Sequence, residues 1–397
     1  MAKAGNNRLA FLKAEIDSLK KQNLFNTLPV LETEQRARVR INGKDVITLS
    51  TNNYLGFANH PRLRKAAIAA INKWGFGTGA VRQIAGTMRI HVDLEDLLAK
   101  YKRTEAALVF TAGIAANRGT IQCLMDSGDV IISDELNHGS IIDGVRLTKA
   151  DRKIYPHKDM DGLEKVLRES KKARRRLVVT DGVFSMDGDT APLDEIAELC
   201  KRHDAILMVD DAHGDGVMGR DGRGTANHYG VDGEVDIDMG TLSKAFGCLG
   251  GYIAGTSYLK DYLTNRARSF IFTTAHPPAV AAACMEAIRM VQGEPQHLRQ
   301  LWKNTIYFKK SLMELGFNTG HSQTPITPVI VGESGLAQRL SAGLFKAGIF
   351  VKPIVYPLVA KDKARVRTIV TAQHTKEDLD ASLDAFKGVG KRLKILK

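Results

Sequence analysis

Ile206-Leu207-Met208-Val209-Asp210-Asp211-Ala212-His213-Gly214 is a short apolar run that breaks into two acids, a histidine and a glycine. An apolar run of this length, bounded by turn-forming residues, reads as a buried strand. Similar runs occur at Ala106–Phe110, Val130–Ser133, Leu177–Thr180 and Val235–Met239. Helical patterns such as Pro192–His203 separate most of them. Apolar strands joined by helices predict an α/β fold whose largely parallel sheet is covered on both faces. In such a sheet a ligand sits beyond the carboxyl ends of the strands.

Outward from this core the pattern changes. After about residue 290 it runs helix, Pro325–Val331, helix, strand, which predicts a smaller α+β domain. At the other end, Leu9, Leu12, Ile16 and Leu19 recur at helical spacing. They predict an amphipathic arm whose apolar stripe needs the body of the protein or a second subunit as partner. The expected division is an arm over 1–44, a large domain over 45–290 and a small domain over 291–397.

The chemistry collects at the predicted strand ends. Two acids and a histidine at the end of Ile206–Val209 are costly to bury unless they serve a ligand. A carboxylate there could hold a pyridinium nitrogen protonated; a metal site or a helix cap is the other reading. Val235–Met239 leads into Gly240-Thr241-Leu242-Ser243-Lys244-Ala245-Phe246-Gly247. A lysine among hydroxyls and glycines just past a buried strand is desolvated, which lowers its pKa and makes it a nucleophile toward aldehydes. Thr241 and Ser243 could turn hydroxyls to a phosphate, and the stretch lacks the GxxxxGK[ST] spacing of a Walker loop. Gly113 and Ile114, after Phe110, open a predicted helix whose free N–H groups suit an anion, or mark a simple turn. His138 is either a flat ring for stacking on a heteroaromatic ligand or a structural histidine. Arg365 and Arg367 alternate with apolar residues and share one face of a strand; they suit a carboxylate or surface salt bridges.

Composition narrows the classes. The 57 Lys and Arg exceed the 44 Asp and Glu, a formal net charge of +13. The densest basic run, Lys171, Lys172, Arg174, Arg175 and Arg176, has no interleaved aromatics, so a nucleic-acid surface is weakly supported. Cys123, Cys200, Cys248 and Cys284 form no CxxC pair, which fits a reducing cytosol and neither a disulfide framework nor a metal site. No apolar run of 18 residues and no signal-peptide h-region occurs, so no membrane span is expected and the expected compartment is cytoplasmic.

Taken together these stretches resemble the α-oxoamine synthase family of fold-type-I pyridoxal-phosphate (PLP) enzymes. The resemblance rests on Asn52-Asn53-Tyr54-Leu55-Gly56, on Gly86-Thr87 with His91 and Leu94-Glu95, on Asp134 to Gly144, on Asp181 to Asp189, on Val209 to His213 and on Gly240 to Lys244. It covers about residues 45 to 375. It implies a fold-type-I PLP-dependent transferase fold with a large, mostly parallel domain and a smaller α+β domain. It further implies PLP as cofactor, an amino acid and an acyl-CoA as substrates, and a homodimer with its active site at the interface. By this resemblance Lys244 carries the aldimine, Asp210 faces the pyridinium nitrogen, His213 the phenolic oxygen, and His138 stacks on the ring. Gly113, Ile114 and Thr241 cradle the phosphate, and Ser185 lies beside the ring. Thr273 and Thr274 reach the phosphate of the neighbouring subunit, while Asn52 and Arg367 hold the substrate carboxylate.

Within the family, Gly75-Phe76-Gly77, Val81 to Thr87 and Gln323 to Pro328 are most similar to glycine C-acetyltransferase (2-amino-3-ketobutyrate CoA ligase), so glycine with acetyl-CoA is the expected pair. The alternatives are alanine with pimeloyl-CoA, decarboxylating, as in 8-amino-7-oxononanoate synthase, and serine with palmitoyl-CoA, as in serine palmitoyltransferase. Two other classes are weighed. A transcription regulator with an aminotransferase-like sensor would need a DNA-binding module, for which the roughly 44 residues before the main body are too few. An aminotransferase on the same fold would need no CoA thioester.

Overall fold

A computed structural model describes residues 8–22, 24–25 and 27–397. Of the expected arm, residues 1–7, 23 and 26 lie outside the described residues. The helix Phe11–Lys21 forms as expected, and Leu12, Ile16 and Leu19 on its apolar stripe stand exposed.

Two strands follow, β1 (Arg38–Ile41) and β2 (Lys44–Thr48). The large sheet then takes β3 (Ala106–Phe110), β4 (Val130–Asp134), β5 (Asp151–Tyr155), β6 (Arg176–Asp181), β7 (Ile206–Asp210), β8 (Ile237–Thr241) and β9 (Gly251–Gly255). The C-terminal part supplies β10 (Ile326–Gly332), β11 (Ile349–Phe350), β12 (Lys352–Ile354) and β13 (Ala364–Ile369).

The large sheet runs in the order β3-β9-β8-β7-β6-β4-β5. All its strands point one way except β9, which lies antiparallel between β3 and β8. The expected parallel sheet is therefore mixed at one position. Two strands escape the sequence pattern. β5 reads Asp-Arg-Lys-Ile-Tyr and sits at an edge, where a polar strand is tolerated. β9 reads Gly-Tyr-Ile-Ala-Gly and returns directly from β8. Leu177, Val178 and Val179 of β6 are fully buried. Burying each such side chain stabilises the fold by about 1.5–3 kcal/mol.

The C-terminal strands form one further sheet, β10-β13-β12, and β11 joins the N-terminal pair in another, β1-β2-β11. Ile47 and Leu49, which the sequence reading counts with the large domain, pack in the C-terminal core beside Phe308, Val329 and Phe386. They do so because β2 pairs in parallel with β11, Ile47 facing Ile349 and Thr48 facing Phe350.

The basic run before β6 is tied into the fold. Arg174 grips the buried Asp129 with two hydrogen bonds of 2.8 Å, and Arg176 meets the backbone carbonyls of Lys171 and Asp204. No helix among the described residues is long and apolar enough to cross a membrane.

Candidate active site

Five parallel strands deliver their carboxyl ends to one place. β3 leads to Gly113 and Ile114, β4 to His138, β6 to Asp181 and Ser185, β7 to Asp210 and His213, and β8 to Thr241 and Lys244. All of these residues line a single cavity of about 270 Å³. Eight of the expected site residues therefore meet.

Asp210 closes β7. Its Oδ2 accepts from Asn117 Nδ2 at 2.7 Å and its Oδ1 from the Ala212 N–H at 3.1 Å. Asn117 Nδ2 also donates to Ser140 Oγ at 2.8 Å, and Ser140 Oγ lies 2.7 Å from His138 Nδ1. One amide thus orients the acid and, through a serine, the exposed imidazole ring. Asp181 is buried, and its Oδ2 accepts from the His138 N–H at 3.0 Å. Burial, reinforced by the negative charge of Asp210, pushes its carboxyl well above the usual carboxylate range. Desolvation lowers the Lys244 amine from the ordinary 10.5, against the pull of Asp210 and Asp181. An amine so placed reaches its neutral, nucleophilic form more readily than a surface lysine.

Asp211 does not share in this. Its carboxylate turns away to accept from Thr225 N–H at 2.7 Å and Thr225 Oγ1 at 2.8 Å. The metal reading of the acid pair thus loses one of its ligands.

Gly113 opens the helix Gly113–Leu124, whose cap position supplies no side-chain acceptor to the first N–H groups. A Cβ at residue 113 would stand 2.6 Å from Thr241 Cγ2, so only glycine lets the helix end come this close to β8. Thr241 Oγ1 donates to the Ala212 carbonyl at 3.2 Å. These groups fit PLP: a helix start for its phosphate, a carboxylate for its ring nitrogen, an amine for its aldehyde and an exposed imidazole for its face.

Arg367 stands beside the cavity. It donates from Nη1 to the Ser185 carbonyl at 2.9 Å, and its charge lowers the pKa of both Lys244 and His213. Asn52 holds a buried Oδ1 with no hydrogen-bond partner among the described residues. It does not line the cavity itself. Thr273 and Thr274 lie elsewhere: Thr273 Oγ1 donates to the Ser269 carbonyl at 2.7 Å, and Thr274 bridges to Val81. Within one chain they do not meet the other site residues.

The sequence reading gave no role to Tyr54, Asn117 or Asp181, although Tyr54 and Asp181 lie in stretches that carry the family resemblance. An acid at a strand's carboxyl end is the signal that found Asp210, and it was present for Asp181 too. Tyr54 and Asn117 gave no such signal, because their partners lie far away in the chain.

A second cavity of about 560 Å³ adjoins the first at Ser185. Leu136, Phe184, Met186, Ile330 and Leu358 make much of its wall, with Lys363 and Arg365 among its cations. Arg365 pairs with Asp187 and donates to the Met186 carbonyl at 3.1 Å.

This fold and site define a PLP-dependent enzyme of fold type I. The family model "Aminotransferase class I and II" matches residues 44–386. An 8-amino-7-oxononanoate synthase from Thermoanaerobacter pseudethanolicus is 57% identical over 98% of this chain and 98% of its own. An 8-amino-7-oxononanoate synthase 1 from Bacillus subtilis is 53% identical over 97% and 98%. Among solved structures, a Sphingomonas wittichii serine palmitoyltransferase superposes with a TM-score of 0.93 at 32% identity, covering 98% of this chain and 99% of that one. A serine palmitoyltransferase from S. paucimobilis with bound PLP–myriocin aldimine gives 0.92 at 30% identity, covering 98% of both chains. The chain belongs to the α-oxoamine synthases of the class I and II aminotransferase family. It is a PLP-dependent acyltransferase of the kind that uses an amino acid and an acyl-CoA.

The expectation of glycine with acetyl-CoA finds no support in these relatives, which favour its first alternative. The stretches that suggested it, Gly75 to Gly77, Val81 to Thr87 and Gln323 to Pro328, line neither cavity.

Proposed function

We propose that this protein is an 8-amino-7-oxononanoate synthase. It condenses alanine with a pimeloyl thioester and releases carbon dioxide and CoA. The observation that carries this reading is the 51–57% identity, over nearly the whole chain, to relatives of that name. The larger cavity supports it. Its apolar wall suits a chain longer than acetyl, and Lys363 offers a cation to the free carboxylate of a pimeloyl group.

In this reading Arg367 and Asn52 hold the alanine carboxylate. Asp210, fixed by Asn117, keeps a proton on the cofactor's ring nitrogen. His138 covers the ring face, and the N–H groups of Gly113 and Ile114, with Thr241, take the phosphate. Ser185 lies where the two cavities meet, beside the ring. When bound, PLP supplies an electron sink for negative charge at the substrate's Cα. Lys244 Nζ takes the Cα proton, a role its lowered pKa fits. Two chains work as a dimer, with Thr273 and Thr274 of each turned to the phosphate held by the other.

The test is CoA release from PLP-loaded protein, followed with a thiol reagent. Alanine with pimeloyl-CoA is expected to give a higher kcat/KM than glycine with acetyl-CoA or serine with palmitoyl-CoA. Faster turnover of either other pair would overturn the assignment.

A further inference from the structure

Tyr54 is 1% exposed, and its hydroxyl lies 2.8 Å from His213 Nδ1, with the two rings edge to face at 88°. The two residues are 159 positions apart in the chain. Burial drives the phenol well above its ordinary value of 10.0, so Tyr54 keeps its proton. Burial, with the charges of Lys244 and Arg367, drives His213 well below 6.5, so the imidazole is neutral. His138 faces His213 as well, and Asp210 and Asp181 stand in the same cavity.

Two neutral groups could make this bond in either sense, but His213 Nδ1 is the sole partner of the buried Tyr54 hydroxyl among the described residues. The phenol proton is therefore satisfied only where O–H donates and Nδ1 accepts. A neutral imidazole carries a single N–H, which then resides on Nε2. His213 lines the cavity. We propose that Tyr54 is a positioning residue that locks the tautomer and ring orientation of His213, so that the imidazole presents a hydrogen-bond donor to the cavity. This rests on the reading that His213 meets the phenolic oxygen of PLP. A donor at that oxygen favours its anionic form. Without the Tyr54 hydroxyl the second tautomer, an acceptor aimed at the same oxygen, becomes accessible.

Tyr54→Phe keeps the ring and removes only the hydroxyl. The test compares it with His213→Gln and with the double variant, each loaded with PLP and titrated by visible absorbance. Tyr54→Phe is expected to raise the midpoint of that titration by about one pH unit. His213→Gln should raise it at least as far, and the double variant no further than His213→Gln alone. A wild-type midpoint in Tyr54→Phe, with a shifted one in His213→Gln, sinks the proposal and leaves the role of His213 standing. Wild-type midpoints in both sink the role of His213 and the proposal with it. Additive shifts would show Tyr54 acting apart from His213, which also overturns it. A ¹⁵N spectrum of the histidines in the cofactor-free chain gives an independent reading. His213 protonated on Nε2 is expected, and protonation on Nδ1 would end the idea.

Discussion

Arg365 and Arg367 stand two apart on β13, and the fold gives them different tasks. Arg365 is buried against Asp187 and the Met186 carbonyl, where it holds the wall of the larger cavity. Arg367 spends one N–H on Ser185 and leaves its charge acting on His213 and Lys244. A guanidinium grips a carboxylate with two parallel bonds, which an ammonium cannot do. Arg367→Lys should therefore raise the KM for the amino acid by about tenfold or more, with PLP affinity unchanged by dialysis. A KM within about twofold of wild type would remove Arg367 from the carboxylate site. Alternation along β13 made this pair visible in the sequence but could not separate the two roles. Lys244, Asp210, His213 and His138 were legible because each follows a buried strand. Tyr54 and Asn117 were not, since a tyrosine in a loop and an asparagine in a helix acquire meaning only from partners 159 and 93 residues away.

At the level of elements, the helix Arg89–Lys102 ends in a lysine buried beneath the loop that follows β7. Lys102 Nζ lies 2.9 Å from Asp215, 2.9 Å from Asp238 of β8 and 3.6 Å from Asp211, and it donates to the Arg223 carbonyl at 2.8 Å. One ammonium thus binds the β7 loop to β8, the two segments that carry Asp210, His213 and Lys244. Lys102→Met leaves three buried carboxylates without their cation, which should cost about 3–5 kcal/mol in a urea unfolding experiment. A loss below about 1 kcal/mol would show that the carboxylates find other partners. Nothing in the sequence announced this cluster, because a lysine near a helix end is ordinarily solvated. The strand pattern itself was well preserved. β3, β4, β6 and β7 fall within a residue of their expected limits, and β8 is displaced by two. β5 and β9 were hidden because an edge strand tolerates charge and a glycine-bounded strand has too few apolar side chains to mark it.

Across the whole molecule, two histidines contribute to opposite limbs of the dependence of stability on pH. Burial lowers His276 to about 4. The unfolded chain binds a proton near 6.5 that the folded chain refuses, so stability falls as pH drops from 6.5 toward 4. Burial alone would also lower His157, but its bonds to Asp134 and Asp189, at 3.0 and 2.9 Å, raise it to about 9. That contribution is complete below 6.5 and is lost as pH rises through 9. Each slope should approach about 1.4 kcal/mol per pH unit at most. His276→Gln should flatten the acid side and His157→Gln the alkaline side of a plot of unfolding free energy against pH. Unaltered slopes would show that other groups set the profile. The distribution of elements along the chain has a different consequence, in time. β2 is synthesised early, and its partner β11 lies roughly 300 residues further on. At about 5–20 residues per second the ribosome needs about 15–60 s to supply it. The large sheet is complete by Gly255, well before β11 exists. A nascent chain thus carries its lysine, Asp210 and both site histidines through a long interval in which Arg367 has not been translated and Ile47 and Leu49 have no core to enter.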